Sequence, residues 1–110
     1  MNYETNARIR ALNDELRVHG RGGRVLITQG INNESLIFAV KARAAVARDT
    51  TFSPDNDPYA EHDFGSVAVD GKQIFWKIDY YDADLHFAAE DPSNPDITQR
   101  VLTIMLAEEY

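Results

Sequence analysis

An Asp-Gly pair between two alternating apolar segments constrains the fold of this chain more than any other feature. Asp70-Gly71 separates Phe64–Val69 from Lys72–Tyr81. A two-residue turn needs positive φ at both central residues, a conformation that Asp-Gly favours. Such a turn fixes the register of the strands, because Val69 must then face Lys72. The sequence therefore predicts an antiparallel β-hairpin.

This register assigns the side chains of the hairpin to two faces. The face predicted to pack on the core carries Val67, Val69, Ile74, Trp76, Ile78 and Tyr80. By the same alternation, the opposite face carries His62, Phe64, Ser66, Phe75, Lys77, Asp79 and Tyr81. His62 is predicted to face Asp79, and directly opposed side chains have Cβ atoms about 5 Å apart. The patch expected to converge consists of His62, Lys77, Asp79 and Tyr81.

The N-terminal part of the chain has helical spacing on both sides of one short strand. Ile9, Leu12 and Leu16 predict a helix over residues 4–19. Residues 24–29 are rich in β-branched side chains and predict a strand. The solvated face of the first helix is expected to carry Arg8, Arg10 and Arg17.

A second helix is predicted to run from an Asn N-cap, Asn32 or Asn33, to about residue 48. Helical spacing then predicts which side chains face the core. They are Leu36, Ile37, Val40 and Ala44.

Two loops and a last helix complete the predicted fold. Prolines interrupt residues 49–62 and residues 90–95. Asp96 and Gln99 resemble a capping box before an apolar segment, which predicts a final helix. The predicted order is α-β-α-β-β-α, an α+β fold with a small, mainly antiparallel sheet packed against helices. The length of 110 residues suits a single domain over residues 1–110.

Charge is distributed unevenly along the chain. Residues 1–48 carry eight Lys/Arg and four Asp/Glu, whereas residues 49–96 carry two Lys and twelve Asp/Glu. The net charge of −7 therefore combines a basic first part with a strongly acidic middle. Either the two parts attract each other, or the acidic segment is a surface for a basic partner. Direct nucleic-acid binding is not expected, because phosphate contacts need clustered Lys/Arg.

Composition and spacing also argue against several kinds of site. The chain has no cysteine, which excludes disulfides, thiolate zinc sites and cysteine nucleophiles. The longest apolar run, residues 36–40, is too short for a membrane helix. The N-terminus has no secretory signal, so a cytoplasmic location is expected, with no membrane partner.

Motifs for phosphate, calcium and other metals are incomplete. Residues 20–23 lack the P-loop spacing. Asp55-Asn56-Asp57 begins like a calcium loop, but Ala60 and Ser66 stand where an EF-hand needs Gly and Glu. His19 and His86 have no ligand pattern. We expect no metal and no cofactor; a site from His62, Asp79 and a loop carboxylate stays an alternative.

The predicted patch around His62 has three interpretations. It is an exposed sheet face with ordinary ion pairs, or a binding surface in which aromatic residues lie beside charged ones. The third interpretation is catalytic: Asp79 orients His62 as a general base and Lys77 stabilises developing negative charge. Ser66 is on the same face, but no nucleophile lies in a recognisable setting.

Three stretches resemble a family of short bacterial proteins described as a domain of unknown function. They are residues 56–65 (NDPYAEHDFG), residues 75–82 (FWKIDYYD) and residues 100–107 (RVLTIMLA). The similarity runs from the helix at residues 8–13 to the C-terminus, and it implies no activity or catalytic residues. It does imply a setting, because such genes are similar to those carried on plasmids and other mobile elements, whose products include antagonists of host defence.

The leading hypothesis is a small acidic protein-interaction module, of the anti-CRISPR or anti-restriction kind, that binds a basic nucleic-acid-handling protein. The alternatives are a hydrolase or nuclease that uses His62, Asp79 and Lys77, and a dimerisation module that pairs through an exposed sheet edge. The predicted partner-binding residues are Asp55, Asp57, Tyr59, Glu61, His62, Asp63, Phe75, Lys77, Asp79, Tyr81, Asp82 and Asp84.

Overall fold

The computed structural model describes residues 3–110 of the chain. In chain order, its elements are α1 (Tyr3–His19), β1 (Gly23–Ile27), α2 (Gln29–Glu34), α3 (Leu36–Arg48), β2 (Phe64–Val69), β3 (Lys72–Tyr81), β4 (Gln99–Leu106) and a 3₁₀ turn (Ala107–Glu109). The four strands form one sheet in the order β1-β4-β3-β2. β1 and β4 pair parallel, and the other two pairs are antiparallel. The predicted α+β class is confirmed.

The hairpin of β2 and β3 has the predicted register. Val69 faces Lys72, and Phe64 faces Lys77. Asp70 has a φ of 51° and Gly71 a φ of 79°, as the two-residue turn requires. Local turn chemistry is therefore enough to set this part of the sheet.

The last apolar segment is a strand, so the predicted final helix is wrong. β4 lies between β1 and β3, and buried residues occur on both of its faces. A strand buried on both faces is apolar without alternation, so its periodicity does not separate it from a buried helix. Asp96 and Gln99 form no capping box before a helix, because Gln99 is the first residue of the strand.

Ser35 divides the second predicted helix into α2 and α3. Its hydroxyl accepts a hydrogen bond from the Phe38 N–H at 2.9 Å, which is the geometry of an N-cap. A cap at Ser35 satisfies a backbone donor that would otherwise have no partner in the first turn of α3. The predicted cap at Asn32 or Asn33 is wrong, since both residues lie inside α2.

The predicted core face of α3 is also wrong. The core residues of this helix are Phe38, Ala39, Ala42 and Val46. The residues predicted for the core are exposed or half-buried: Leu36, Ile37, Val40 and Ala44. Because α3 is apolar around most of its circumference, helical spacing fits both sets equally well.

The three helices pack on one face of the sheet. The core between the layers includes Leu16 of α1, Phe38 of α3, and Trp76 and Leu102 of the sheet. Each fully buried side chain of this kind stabilises the fold by about 1.5–3 kcal/mol. None of the helices in residues 3–110 combines the length and the apolar composition needed to cross a membrane.

Candidate functional site

Two acidic loops meet at one end of the sheet. β2 begins, β3 ends and β4 begins at this end, because neighbouring strands in this part of the sheet are antiparallel. Residues 49–63 form the first acidic loop and residues 82–98 the second, and neither contains Lys or Arg. Together they are termed the acidic end. Its carboxylates belong to Asp49, Asp55, Asp57, Glu61, Asp63, Asp82, Asp84, Glu90, Asp91 and Asp96.

Side chains of α1 hold the first acidic loop in place. Arg10 Nη1 donates a hydrogen bond to the carbonyl of Ala60 at 2.9 Å. Asn13 Nδ2 donates to the carbonyl of Glu61 at 3.0 Å. These two contacts join residues far apart in sequence and attach the first acidic loop to α1.

His62 is part of this attachment, because both nitrogens of its ring lie next to carboxylates. Its Nδ1 lies 2.8 Å from Oδ1 of Asp14, and its Nε2 lies 3.6 Å from Oδ2 of Asp57. Its ring stacks on Phe52, with centroids 3.7 Å apart and an angle of 7° between the planes. Because both ring nitrogens face carboxylates, His62 has no nitrogen directed at a substrate.

Asp57 is turned inward, although it was predicted to contact a partner. Its side chain is 5% exposed, and its Oδ1 accepts the N–H groups of Glu61 at 3.1 Å and His62 at 3.2 Å. Asp57 therefore closes the turn around Ala60, which has a φ of 54°. Its role is to shape the loop.

A buried polar cluster fixes the beginning of the first acidic loop. Arg17 donates to the carbonyls of Val46 at 3.0 Å and Asp49 at 2.9 Å at the end of α3, where the last carbonyls of a helix lack intrahelical N–H donors of the regular ladder. Asp49 Oδ2 accepts a hydrogen bond from Trp76 Nε1 at 2.9 Å. Gly65 permits this bond, because a Cβ at Gly65 would lie 2.6 Å from that carboxylate oxygen.

Burial acts to raise the pKa of the Asp49 carboxyl, but its hydrogen bonds act in the other direction. Donors on Thr51 and Trp76 and the nearby charge of Arg17 leave the pKa of Asp49 below its ordinary value. The carboxylate is thus held in its charged form beneath the loop.

A second buried cluster links α1 to β3 and β4. Arg100 is 1% exposed, and its Nε donates to Oδ1 of Asn13 at 2.8 Å. Asn13 Nδ2 also donates to the hydroxyl of Tyr80 at 2.7 Å. The guanidinium of Arg100 stacks over the Tyr80 ring and donates to the carbonyl of Pro92. This cluster therefore connects both acidic loops.

Burial and neighbouring carboxylates together raise the pKa values of Glu61 and Asp63. Burial raises the pKa of Glu61, and the charges of Asp63 and Asp57 raise it further. Burial also raises the pKa of Asp63, with further contributions from Asp57 and Asp79. Both carboxyls are therefore disfavoured in their charged form, first by burial and then by the neighbouring carboxylates.

Hydrogen bonds within the second acidic loop give it its shape. Asp82 Oδ1 accepts the N–H groups of Asp84 and His86. Asp91 Oδ1 accepts the hydroxyl of Ser93 at 2.6 Å. These bonds span two to four residues, as in Asx turns.

The predicted patch around His62 does not form. The Lys77 and Asp79 side chains form an ion pair at 2.9 Å on the face opposite the helices, whereas His62 lies on the helix side beside Asp14. The predicted His62–Asp79 pair is wrong because strand β2 begins at Phe64 and His62 has a φ of 55°. This geometry also removes the predicted His62–Lys77–Asp79 catalytic group and the metal site built on the same pair.

The other predicted partner-binding residues lie on two surfaces. Asp55, Tyr59, Glu61, Asp63, Asp82 and Asp84 belong to the acidic end. Phe75, Lys77, Asp79 and Tyr81 lie on the sheet face without helices, where Phe64, Phe75 and the C-terminal Tyr110 form an aromatic cluster. Within residues 3–110, no group of three or more His, Asp or Glu side chains is placed to hold a metal ion.

Sequence reasoning missed the residues that position the first acidic loop. Arg17 was expected on the solvated face but is 4% exposed. Its spacing of four residues from Asn13 places both on one side of α1. In a strand, Arg100 lies on the same face as Leu102 and Ile104, because alternate residues share a face. Once residues 99–106 are known to form a strand, this pattern identifies Arg100 as a buried cation.

Comparison with known proteins gives a family but no activity. No curated protein and no solved structure matches the chain. Residues 27–109 match the family described as protein of unknown function (DUF3768). The match includes α3, the whole hairpin, both acidic loops and β4, and begins after most of β1. The chain therefore belongs to the DUF3768 family.

Proposed function

We propose that this chain is a protein-interaction module whose acidic end binds a basic, nucleic-acid-handling protein. The observation that carries the proposal is the meeting of two loops that contain no Lys or Arg and ten carboxylates, eight of which remain when the buried Asp49 and Asp57 are set aside. Burial is the largest cause of the raised pKa values of Glu61 and Asp63, and neighbouring carboxylates raise both pKa values further. A cationic partner would offset the charge of these neighbouring carboxylates, which favours association.

Exposed aromatic side chains supply candidate anchors within the same surface. Tyr59 of the first acidic loop is 54% exposed, and Phe87 of the second is 74% exposed. Aromatic residues often carry a large share of the binding energy where polar residues surround them. The acidic end thus combines long-range attraction with short-range apolar contacts.

The negative charge of the acidic end favours a partner with a positively charged groove. Carboxylates can occupy a protein groove that binds nucleic-acid phosphates. The resemblance to genes of plasmids and other mobile elements favours a host-defence nuclease or effector as the owner of that groove. On this proposal the chain is an anti-defence inhibitor of the anti-CRISPR or anti-restriction kind.

Capture of partners, followed by a salt series, tests the proposal. Immobilised protein should retain a basic nucleic-acid-handling protein at about 0.05 M salt and release it at about 0.5 M, where exposed charges are screened within a few ångströms. Nucleic acid added as a competitor should also release it. Failure to retain such a protein, or retention that salt does not affect, would contradict the proposal.

A pair of variants with equal net charge localises the interaction. One variant changes four exposed carboxylates of the acidic end: Asp55→Asn, Asp84→Asn, Glu90→Gln and Asp96→Asn. The matched control changes four elsewhere: Glu15→Gln, Glu34→Gln, Asp70→Asn and Glu108→Gln. The first variant should lose binding and the control variant should keep it. Asp70→Asn is acceptable in the control because Asn-Gly also forms the two-residue hairpin turn.

A further inference from the structure

An open apolar groove lies between the end of α1 and the outward face of α3. It has a volume of about 600 Å³ and is lined by Val18, Leu36, Val40, Ala44 and Ala47, among others. The residues of α3 recur at helical spacing, so they form one continuous stripe along the helix. This surface is separate from the acidic end.

The apolar side chains of this groove are largely uncovered. Leu36 is 81% exposed, Val40 is 61% exposed and Val18 is 39% exposed. Contiguous exposed apolar residues with polar residues around them are typical of interaction sites. Covering the stripe with apolar side chains of another helix would remove it from water.

Arg43 gives the groove a fixed positive charge. Its Nη1 donates a hydrogen bond to the carbonyl of Arg17 at 2.7 Å, which holds the guanidinium against the last turns of α1. No carboxylate within residues 3–110 lies at ion-pair distance from Arg43. The groove lining also includes His19 and contains no Asp or Glu.

We infer that this groove binds an acidic amphipathic helix of a partner protein. Apolar side chains of that helix cover Leu36 and Val40, and one of its carboxylates forms the ion pair that Arg43 lacks. Arginine presents several donors in a planar fork that matches a carboxylate, and its charge is less screened beside apolar surface.

Charge argues against a second copy of this chain as the occupant. A symmetric pairing of two α3 helices would place both Arg43 side chains along one narrow groove. The lining residues offer no carboxylate to separate these cations. Like charges at such a contact are unfavourable, whereas an acidic helix complements them.

Binding of a designed helical peptide tests the inference. The probe is a fluorescein-labelled peptide of about five turns, with leucines along one stripe and glutamates on both flanks. The comparison peptide has lysine in place of each glutamate. Fluorescence anisotropy should show binding of the glutamate peptide and binding at least about tenfold weaker for the lysine peptide. Amide shifts in an NMR titration should map to α3 and the end of α1.

Two matched variants place the peptide in the groove. Val40→Asp should abolish binding, whereas Ile37→Asp should not, because Ile37 is an exposed residue of α3 outside the groove lining. Arg43→Gln should weaken binding of the glutamate peptide by about tenfold and should not weaken binding of the lysine peptide, since the substitution removes a like charge from the groove.

Several results would overturn the inference. They are equal binding of the two peptides, amide shifts at the sheet face, and equal effects of Val40→Asp and Ile37→Asp. Light scattering that shows a dimer broken by Val40→Asp would identify a second copy as the occupant instead. None of these results depends on whether the acidic end binds a basic protein.

Discussion

The two acidic loops carry similar charge but are held in different ways. The first is fastened to α1 by Arg10, Asn13, Asp14 and Arg17, which reach it across 32 to 50 residues of sequence. The second is shaped mainly by bonds that span two to four residues. We therefore expect the first acidic loop to keep its conformation when a partner binds and the second acidic loop to adapt to the partner.

Contacts at two places tie the second acidic loop to the rest of the fold. Arg100 donates to the carbonyl of Pro92, and the N–H of Ala89 donates to the carbonyl of Tyr80 in β3 at 3.1 Å. Within the loop, the Thr98 hydroxyl donates to the carbonyl of Asp91 at 2.7 Å.

The Phe87 carbonyl accepts the N–H of Asp82 at 2.8 Å. The Phe87 side chain, however, is exposed. No side chain of residues 7–19 in α1 forms a hydrogen bond with residues 83–88, so this is the part we expect to move on binding.

Among the substitutions that test the attachment of the first acidic loop, loss of Arg17 should have the largest effect on stability. Arg17→Ala removes the Arg17 donor from the carbonyls of Ala47 and Asp49 and the cation beside the Asp49 carboxylate. We expect a loss of about 3–5 kcal/mol in the free energy of unfolding, measured by urea denaturation. Arg21→Ala, which removes an exposed ion pair with Glu15, should cost less than about 1 kcal/mol. Similar losses in both variants would contradict a buried role for Arg17.

The same substitution in each loop tests whether they differ in rigidity. His62→Ala removes the ring stacked on Phe52 and the bond to Asp14, and should cost about 1–3 kcal/mol. His86→Ala in the second acidic loop should change stability by less than about 0.5 kcal/mol. Limited proteolysis should show faster cleavage of residues 49–63 in the first variant alone. Equal behaviour of the two variants would remove the distinction between the loops.

The smallest effect concerns pH and Glu61. Its pKa is raised in the folded protein, so the folded state binds this proton more tightly than the unfolded chain does. Its stabilising contribution is present at low pH and lost as pH rises through the raised pKa. Glu61→Gln should therefore be more stable than the wild type at pH 7, by less than about 1 kcal/mol because solvent screens the charge. The difference should vanish near pH 3, where the glutamate is protonated.

The contribution of Asp49 to stability should change with pH in the opposite direction to that of Glu61. Its pKa is lowered in the folded state, so its contribution is present at neutral pH and lost as pH falls through the lowered pKa. Asp49→Asn should be less stable than the wild type at pH 7. Chemical denaturation of both variants between pH 3 and 7 measures the two trends, and parallel trends would contradict them.

Local chemistry made the hairpin predictable, and long-range packing made the rest of the fold harder to predict. Asp70-Gly71 requires only its own backbone to form the turn. β4 and α3 are apolar on more than one side. The spacing of apolar residues therefore does not show that β4 is a strand, nor which face of α3 packs on the core. Their environment is decided by neighbours distant in sequence.

The candidate site was predictable in charge but not in geometry. The concentration of carboxylates in residues 49–96 is visible in the sequence, and the structure brings them to one end of the sheet. The inward turn of His62 and Asp57 depends on positive φ at Ala60 and His62 and on partners from α1. Extending the strand ladder past Phe64 ignored this change of direction and produced the wrong His62–Asp79 pair.

Hydrogen–deuterium exchange on the complex with a captured partner tests the central claim most directly. If the acidic end is one binding surface, amides of both residues 49–63 and residues 82–98 should become protected together. The second acidic loop should show the larger gain, because it is less constrained in the free protein. Protection confined to the sheet face or to α3, with both acidic loops unchanged, would contradict the proposed function.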